Sequence, residues 1–252
     1  MNKEIDKITF NSSILKNKTI VISGAGSGIG RQAAKSFSEH GANLILLSKN
    51  IKKLEALYDE IIDEKKNDVI IQPLNFEIAE ENDFDKIISA IKDKYPSIDG
   101  LLNNAGVLGE KKPLEQYNYA TWKNVIKVNV DASFLLTKSL LPLLKKSNSS
   151  SIIFTSSGVG RKGRAYWGAY SISKFATEAM MQIFSEELQN TSSVRVNCIN
   201  PGAVRTNMRE SAYPAENPET NPSADKIMKP YLYLMSDVSK EINGQSIDAQ
   251  EH

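Results

Sequence analysis

Short apolar runs alternate with longer amphipathic stretches along the 252 residues of the chain. Most of the apolar runs are nearly continuous, a pattern typical of parallel strands that are covered on both faces of a sheet. The predicted strands are Thr19–Ser23, Asn43–Ser48, Val69–Leu74, Ile98–Leu102, Ser151–Thr155 and Val194–Ile199. The predicted helices are Arg31–His40, Lys52–Lys65, Phe84–Lys94, Tyr119–Lys145 and Ser171–Gln189.

The regular alternation of strands and helices predicts an α/β fold, a doubly wound parallel sheet of the Rossmann-like kind. Right-handed crossovers bring the carboxyl ends of such strands to one edge of the sheet, where ligands bind. No linker, internal repeat or low-complexity tract divides the sequence, so residues 1–252 are predicted to form a single domain.

One segment departs from this rhythm of strands and helices. Asn207–Asp225 contains three prolines and many small or polar residues, and it follows the turn at Pro201-Gly202. Such a segment is either a mobile lid over a site or a surface loop, and its position after that turn favours the lid.

The composition narrows the range of functions. The net charge of +1 gives no field that favours nucleic acid or an anionic membrane surface, so neither is expected as a partner. Cys198 is the only cysteine, which excludes an intramolecular disulfide, and no metal site is predicted. The first residues do not resemble a signal peptide, and no apolar run approaches the roughly 20 residues that span a bilayer. We therefore expect a cytoplasmic protein.

The turn after the first strand is rich in glycine and leads directly into a helix. Gly24, Gly28 and Gly30 form a Gly-x-x-x-Gly-x-Gly pattern, with Ser27 and Ile29 among them. Glycines let the backbone turn sharply and approach a pyrophosphate, and a helix amino terminus offers N–H donors to it. A plain tight turn would also use glycines, but the position between a first strand and a first helix favours a dinucleotide.

The end of the second strand indicates which dinucleotide binds. A carboxylate there would bind the ribose 2′-hydroxyl of NAD(H), whereas a basic residue would accept the 2′-phosphate of NADP(H). The strand ends at Ser48 and Lys49, and no acidic residue follows before Glu55. A serine can donate a hydrogen bond to the phosphate, and a lysine can neutralise it. A lysine after a strand is common in itself, but the missing carboxylate favours NADP(H).

Tyr170 and Lys174 are four residues apart where a predicted helix begins, so both side chains lie on one face of that helix. A phenol has an ordinary pKa of about 10, which makes it a poor proton shuttle at neutral pH. A nearby ammonium stabilises the phenolate and lowers that pKa. In isolation such a pair is usually a pair of surface neighbours, so its meaning depends on the rest of the sequence.

Several motifs together resemble the short-chain dehydrogenase/reductase family, in the right order over residues 19–206. They are Gly24-x-x-x-Gly28-x-Gly30, Asn103-Asn104-Ala105-Gly106, Asn129, Ser157, Tyr170, Lys174 and Pro201-Gly202-Ala203-Val204-Arg205-Thr206. The resemblance implies a Rossmann-like oxidoreductase with a nicotinamide cofactor.

The resemblance also implies a catalytic group of four residues. Tyr170 would protonate the carbonyl oxygen in reduction, or remove the hydroxyl proton in oxidation, and Lys174 would lower its pKa and hold the nicotinamide ribose. Ser157 would bond the substrate oxygen, with Ser156 as the rival for that role. Asn129 would hold a water that relays the proton from solvent.

The contacts of the cofactor follow from the same resemblance. Asn104 and Gly106 would border its adenosine half, and Val204 and Thr206 would contact the carboxamide. Asn75 stands where the family usually has an aspartate beside the adenine, so a changed affinity is expected. The full set of expected cofactor contacts is Gly24, Ser27, Gly28, Ile29, Gly30, Ser48, Lys49, Asn75, Asn104, Gly106, Tyr170, Lys174, Pro201, Gly202, Val204 and Thr206.

The expected function is therefore the interconversion of a carbonyl and a secondary alcohol by hydride transfer, with NADP(H) as cofactor and a small molecule as substrate. The alternative is an NADP-binding sensor or scaffold that has lost turnover, against which the retained catalytic residues argue. Asn243–Ala249 resembles the last strand of the family, which related enzymes often use in tetramer contacts. A homodimer through the long helices is expected at least as much as a homotetramer.

Overall fold

The computed structural model describes residues 5, 7–64 and 67–250, and shows one sheet of seven parallel strands. The strands lie in the order β3-β2-β1-β4-β5-β6-β7. Successive strands are added to one side of β1 up to β3 and to its other side from β4 onwards, so the topological switch point lies between β1 and β4. Their bounds are β1 Thr19–Ser23, β2 Asn43–Ser48, β3 Val69–Pro73, β4 Gly100–Asn103, β5 Ser150–Thr155, β6 Val194–Asn200 and β7 Ser246–Asp248. The predicted doubly wound parallel sheet is confirmed.

Eight α-helices occur among the described residues and cover both faces of the sheet. They are α1 Gly28–Glu39, α2 Ile51–Glu64, α3 Glu81–Lys94, α4 Tyr119–Ile126, α5 Ala132–Leu144, α6 Gly168–Leu188, α7 Asn207–Ala212 and α8 Met228–Met235. Alternate residues of the central strands point to opposite faces. Ile20 and Ile22 pack with α1, α2 and α8, whereas Val21 packs in the cluster formed by α3, α5 and α6. Burial on both faces explains why the strands are apolar throughout.

Helix α3 begins at Glu81 rather than at the predicted Phe84. Glu80 and Asp83 form a reciprocal capping box, so the first turn is polar and precedes the apolar repeat from which the prediction started. Helices α1 and α6 also begin three residues earlier than predicted, and Lys65, the predicted end of the second helix, lies outside the described residues.

The predicted helix Tyr119–Lys145 is interrupted. A π-helical turn, Lys127–Asp131, separates α4 from α5. Such a turn inserts one residue into the helical repeat, and these insertions frequently occur at functional sites. Asn129 lies in the middle of it.

The segment Asn207–Asp225 is largely structured. Its first residues form α7, and Pro218–Thr220 forms a 3₁₀ turn. The Arg209 guanidinium pairs with both carboxylate oxygens of Glu216, at 2.6 and 2.5 Å, and thereby ties α7 to the chain that follows it.

No helix within residues 5, 7–64 and 67–250 has the length and apolar character needed to cross a membrane. In the same part of the chain, no group of three or more His, Cys, Asp or Glu side chains is placed to hold a metal ion.

Candidate active site

A cleft of about 340 Å³ lies along the carboxyl ends of the strands. The predicted site residues that line it are Gly24, Ser27, Ile29, Ser48, Lys49, Asn75, Asn104, Gly106, Ser157, Tyr170, Lys174, Pro201, Gly202, Val204 and Thr206. Gly28, Gly30 and Asn129 were also predicted but do not line the cleft: Gly28 is exposed, whereas Gly30 and Asn129 are buried. The structure therefore brings the separate sequence motifs together at one place.

The glycine-rich turn leaves no room for larger residues. Gly24 has a φ of +69°, and a Cβ there would lie 2.9 Å from the Cα of Ala105. A Cβ on Gly30 would overlap the carbonyl oxygen of Gly24, so Gly30 allows the helix to pack against the turn. Gly28 has a φ of +55° and faces Thr206. These constraints keep the backbone exposed towards the cleft, as close approach to a phosphate requires.

The amino terminus of α1 opens into the cleft. Ser27 is the residue before the helix, and its hydroxyl makes no capping hydrogen bond. The first turn of α1 contains no acidic residue. The N–H groups at a helix amino terminus carry partial positive charge, so this end of α1 suits a pyrophosphate.

The end of β2 carries Ser48 and is followed by Lys49, the two residues expected to bind a 2′-phosphate on the adenosine ribose. The hydroxyl of Ser48 accepts a hydrogen bond from the backbone N–H of Asn50 at 3.3 Å, which leaves its own proton available to donate. A Cβ on Gly26 would lie 2.8 Å from that hydroxyl, so Gly26 is a further glycine that the site needs, although the predicted pattern did not include it. Lys49 pairs with Glu77, with 2.8 Å between Nζ and Oε1.

Glu77 is a residue of the cleft that the sequence motifs did not predict. It follows Asn75 by two residues and also lines the cleft. Its backbone N–H donates to Asn75 Oδ1 at 3.1 Å. The signal that could have found it is the strand order, because β3 lies beside β2 and the loop after β3 must therefore lie beside Lys49.

The end of β4 is tied to the end of β1 through one hydroxyl. Ser23 Oγ accepts from the backbone N–H groups of Asn104 at 3.0 Å and of Ala105 at 3.1 Å. The hydroxyl of Thr155, at the end of β5, donates to Asn104 Oδ1 at 3.4 Å. Asn104 therefore links the ends of three strands at the topological switch point of the sheet.

Tyr170 and Lys174 lie in the first two turns of α6, and both are buried. The Lys174 ammonium donates to the carbonyl oxygen of Thr155 at 2.6 Å and lies 5.6 Å from the centre of the Tyr170 ring. Gly106 lies opposite the ammonium, because a Cβ there would be 4.0 Å from Nζ. The two side chains share one end of the cleft, as their spacing predicted.

Burial dominates the ionisation of both groups. It raises the pKa of Tyr170 to about 12, although the hydrogen bond with Ser157 acts in the opposite direction. Burial lowers the pKa of Lys174 to about 8, while the thiol of Cys198 and the carboxylate of Glu178 act against that change. Lys174 is not among the groups that shift the pKa of Tyr170, and its ammonium bonds to the carbonyl of Thr155 instead. The expected lowering of the Tyr170 pKa by Lys174 is therefore not found, because desolvation sets its direction.

Ser156 and Ser157 have different partners. The hydroxyl of Ser156 donates to the carboxylate of Glu178, which is itself buried and also accepts from Ser246 Oγ at 2.8 Å. Ser157 lies in the lining of the cleft and interacts with Tyr170. Glu178 was not predicted, although it follows Lys174 by four residues and so lies on the same face of α6.

Asn129 is fixed by its surroundings. Its Oδ1 accepts from the backbone N–H of Val107 at 2.8 Å, and its Nδ2 donates to the carbonyl of Val107 at 3.0 Å and to Ser173 Oγ at 2.9 Å. The side chain therefore links the π-helical turn to the segment after β4 and to α6.

Aromatic rings and a lysine surround Trp167, at the same end of the cleft as Tyr170. The rings of Trp167 and Tyr170 are 5.7 Å apart, and those of Trp167 and Tyr213 are 6.0 Å apart. The ammonium of Lys111 lies 3.9 Å from the centre of the Tyr213 ring and donates to the carbonyl of Ala212 at 2.8 Å. These contacts hold α7 against the loop that follows β4.

The sequence model of the short chain dehydrogenases matches residues 18–217. This chain belongs to that family, which agrees with its fold and with the arrangement of its cleft.

Individual relatives cover nearly the whole chain. The oxidoreductase YciK of Escherichia coli strain K12 is 44% identical over 237 residues, which are 94% of this chain and 93% of that protein. Two solved structures of short chain dehydrogenases have a TM-score of 0.93 and 43% identity to this chain, and cover 96% of it and 100% of their own lengths. One, from Escherichia coli CFT073, is complexed with NADPH. The other, from Shigella flexneri 2a strain 301, is complexed with NADP.

Proposed function

We propose that this protein is an NADP(H)-dependent oxidoreductase that interconverts a carbonyl and a secondary alcohol, with Tyr170 as acid and base. The observation that carries the proposal is the placement of Tyr170, Ser157 and Lys174 in the same cleft as the glycine-rich turn. A dinucleotide bound on that turn and along the cleft brings a nicotinamide to a proton donor.

The choice of NADP(H) rests on two kinds of support. Two relatives of similar fold are complexed with NADP and NADPH. In this chain, Ser48 and Lys49 line the cleft at the end of β2, and the β2 end itself has no carboxylate. The glycine cradle and the uncapped start of α1 fit a pyrophosphate. NADP(H) is thus the cofactor of this site, and its bound nicotinamide supplies or accepts the hydride.

Tyr170 supplies the proton. The phenol is protonated at neutral pH and can donate to a carbonyl oxygen. Burial raises its pKa to about 12 and so makes it a weaker acid, while the hydrogen bond with Ser157 acts in the opposite direction. The hydroxyl of Ser157 donates to the same oxygen and stabilises the negative charge that develops there. Ser156 is the weaker candidate for this role, because its proton already goes to Glu178.

Lys174 and Asn129 support the proton transfer. The Lys174 ammonium lies between Thr155 and Gly106, where it can donate to ribose hydroxyls and stabilise a phenolate. Oδ1 of Asn129 has a second lone pair beyond its bond to Val107, so it can accept from a water that returns a proton to the site.

The substrate end of the cleft favours a modest hydrophobic carbonyl compound. Leu108, Trp167, Met208 and Ala212 contribute apolar surface there. The segment Asn207–Asp225 acts as a lid, because α7 supplies part of this lining and is tied down by side-chain contacts that can be broken. We infer that the described part of the chain is one domain, which carries both the cofactor site and the substrate site.

We place the protein in the cytoplasm as a homo-oligomer. Exposed apolar side chains occur on α5 and α6. They are Phe134 on α5 and Ile172, Phe175 and Ile183 on α6. Such surfaces are typical of subunit contacts, so a homodimer through these helices is the preferred assembly and a homotetramer is the alternative.

The test is a screen for NADPH oxidation with aldehydes, ketones and diketones. Turnover with at least one class supports the proposal. Tight binding of NADPH without turnover on any carbonyl would instead favour the sensor or scaffold, whereas failure to bind would contradict both.

A further inference from the structure

The end of β2 and the loop between β3 and α3 place opposite charges side by side in the cleft. Lys49 and Glu77 both line it, and their side chains are paired at 2.8 Å. The Lys49 side chain is 57% exposed and that of Glu77 is 33% exposed. The pair therefore lies at the open edge of the cleft, next to Ser48.

The backbone that carries Glu77 is fixed by a local turn. Asn75 Oδ1 accepts the N–H of Glu77 at 3.1 Å, and the carbonyl of Asn75 accepts the N–H of Ala79 at 2.9 Å. This compact turn begins two residues beyond β3 and keeps Glu77 beside the neighbouring strand. The site therefore has a carboxylate paired with Lys49, the residue that would bind a 2′-phosphate, although β2 itself ends at Ser48 without one.

A carboxylate at this place acts differently on the two cofactors. A 2′-phosphate carries more than one negative charge, so it is repelled by Glu77 and competes with Glu77 for Lys49. A 2′-hydroxyl can donate a hydrogen bond to a carboxylate, which is the usual way in which NAD(H) is recognised. An exposed ion pair contributes about 1 kcal/mol or less, so it does not prevent the lysine from turning to a phosphate.

We propose that Glu77 is a specificity-determining residue of the cofactor site, which weakens the binding of NADP(H), favours that of NAD(H) and so reduces the discrimination between them. This inference rests on the proposed function, because it takes Lys49 as the residue that reads the 2′-phosphate. A substitution that removes the charge of Glu77 but keeps its shape breaks the ion pair with Lys49. The Lys49 ammonium can then pair with the 2′-phosphate without competition.

The test is calorimetric titration of the full chain with NADPH and with NADH at fixed ionic strength. Glu77→Gln is expected to bind NADPH about fivefold more tightly than the wild type, as a repulsion of about 1 kcal/mol implies. Its affinity for NADH is expected to stay the same or to fall. The ratio of the dissociation constant of NADH to that of NADPH therefore rises. Lys49→Ala is the opposing variant, and we expect it to weaken NADPH about tenfold while changing NADH little.

Glu81→Gln is the matched control. It removes the same charge from an exposed carboxylate that is likewise paired with a lysine, at 2.7 Å from Lys138, but that does not line the cleft. It is expected to leave the ratio unchanged.

The outcomes separate this inference from the proposed function. A wild type that prefers NADPH, together with a Glu77→Gln variant whose ratio does not rise, overturns the role of Glu77 alone. A rise of similar size in Glu81→Gln also overturns it, because the effect would then come from net charge. A wild type that binds neither nucleotide overturns the proposed cofactor site and with it the inference. A wild type that prefers NADH overturns the preference for NADP(H) alone, if Glu77→Gln still shifts binding towards NADPH.

Discussion

Lys174 carries an ammonium that is buried in the folded protein, and burial lowers its pKa from 10.5 to about 8. Between these two pH values the unfolded chain binds more protons than the folded one, so this group makes the protein more stable as the pH rises. Below pH 8 both states are protonated, and the folded state then bears the full cost of the buried charge. A residue that the proposed chemistry needs is therefore unfavourable for stability at neutral pH.

Lys174→Met is accordingly expected to raise the free energy of unfolding at pH 7. The burial cost is about 3 kcal/mol from the size of the pKa change. Loss of the hydrogen bond to Thr155 removes about 1 kcal/mol of that gain, which leaves about 2 kcal/mol. Urea unfolding at pH 7 and at pH 10 measures the difference between the variant and the wild type, and that difference should shrink as the pH rises.

The control for this substitution is Lys92→Met, which removes an exposed ammonium from α3. A Lys174→Met protein that is less stable than the wild type at pH 7 would contradict the burial cost. So would a stability difference that does not change between the two pH values.

At the scale of elements, the short strand β7 depends on side chains behind the site. It has three residues and, among the described strands, pairs only with β6. Glu178 on α6 accepts from Ser246 on β7, and Arg161 donates to Asp248 Oδ1 at 2.7 Å. Because Glu178 also accepts from Ser156, the same carboxylate ties β7 to the end of β5, beside Ser157.

Replacement of Glu178 by alanine should therefore loosen β7. It leaves two hydroxyls without their acceptor and removes the carboxylate that lies 3.6 Å from the Arg161 guanidinium. We therefore expect a loss of about 2 kcal/mol in the free energy of unfolding. Amide hydrogen exchange over residues 244–250 should accelerate more than in the rest of the sheet. Glu186→Ala, at an exposed position on the same helix, is the control. If the two variants are equally stable and β7 exchanges as slowly as in the wild type, the role of Glu178 is wrong.

The sequence was sufficient for six of the seven strands and for the main helices, because burial on both faces leaves an apolar run in those strands. Strand β7, Ser-Ile-Asp, has no such run and was expected only from the family resemblance. It could not show the π-helical turn at Lys127–Asp131, since one inserted residue barely alters a helical repeat. It could not show Glu77 or Glu178 either, because their importance comes from neighbours that are distant in sequence. The pKa of Tyr170 was expected to fall, and only the three-dimensional burial of the ring shows that it rises.

At the scale of the whole molecule, helices α5 and α6 expose apolar side chains on the surface. Ile183 is 58% exposed and Phe134 is 43% exposed. Exposed groups of this size on two neighbouring structural elements are better explained by a subunit contact than by contact with water. The homodimer proposed above would bury them.

A charge introduced on these helices should break that dimer. We expect Ile183→Glu and Phe134→Glu to be monomers at concentrations where the wild type is a dimer, as measured by sedimentation velocity. Ile78→Glu is the control, because Ile78 is 72% exposed but lies in the loop before α3. A wild type that sediments as a monomer, or a dimer that survives both substitutions on the helices, would contradict the proposed interface.

The proposed transfer of the proton by Tyr170 is tested by NADPH-dependent carbonyl reduction with Tyr170→Phe. Loss of a general acid typically costs about a hundredfold or more in rate, whereas the phenyl ring keeps the shape of the site. We expect such a loss, together with nearly unchanged NADPH binding by calorimetry and normal turnover by Tyr166→Phe, which alters an exposed tyrosine on the preceding loop. Turnover by Tyr170→Phe within about tenfold of the wild type would contradict a role of Tyr170 as general acid, because no rate effect of the expected size would then depend on it.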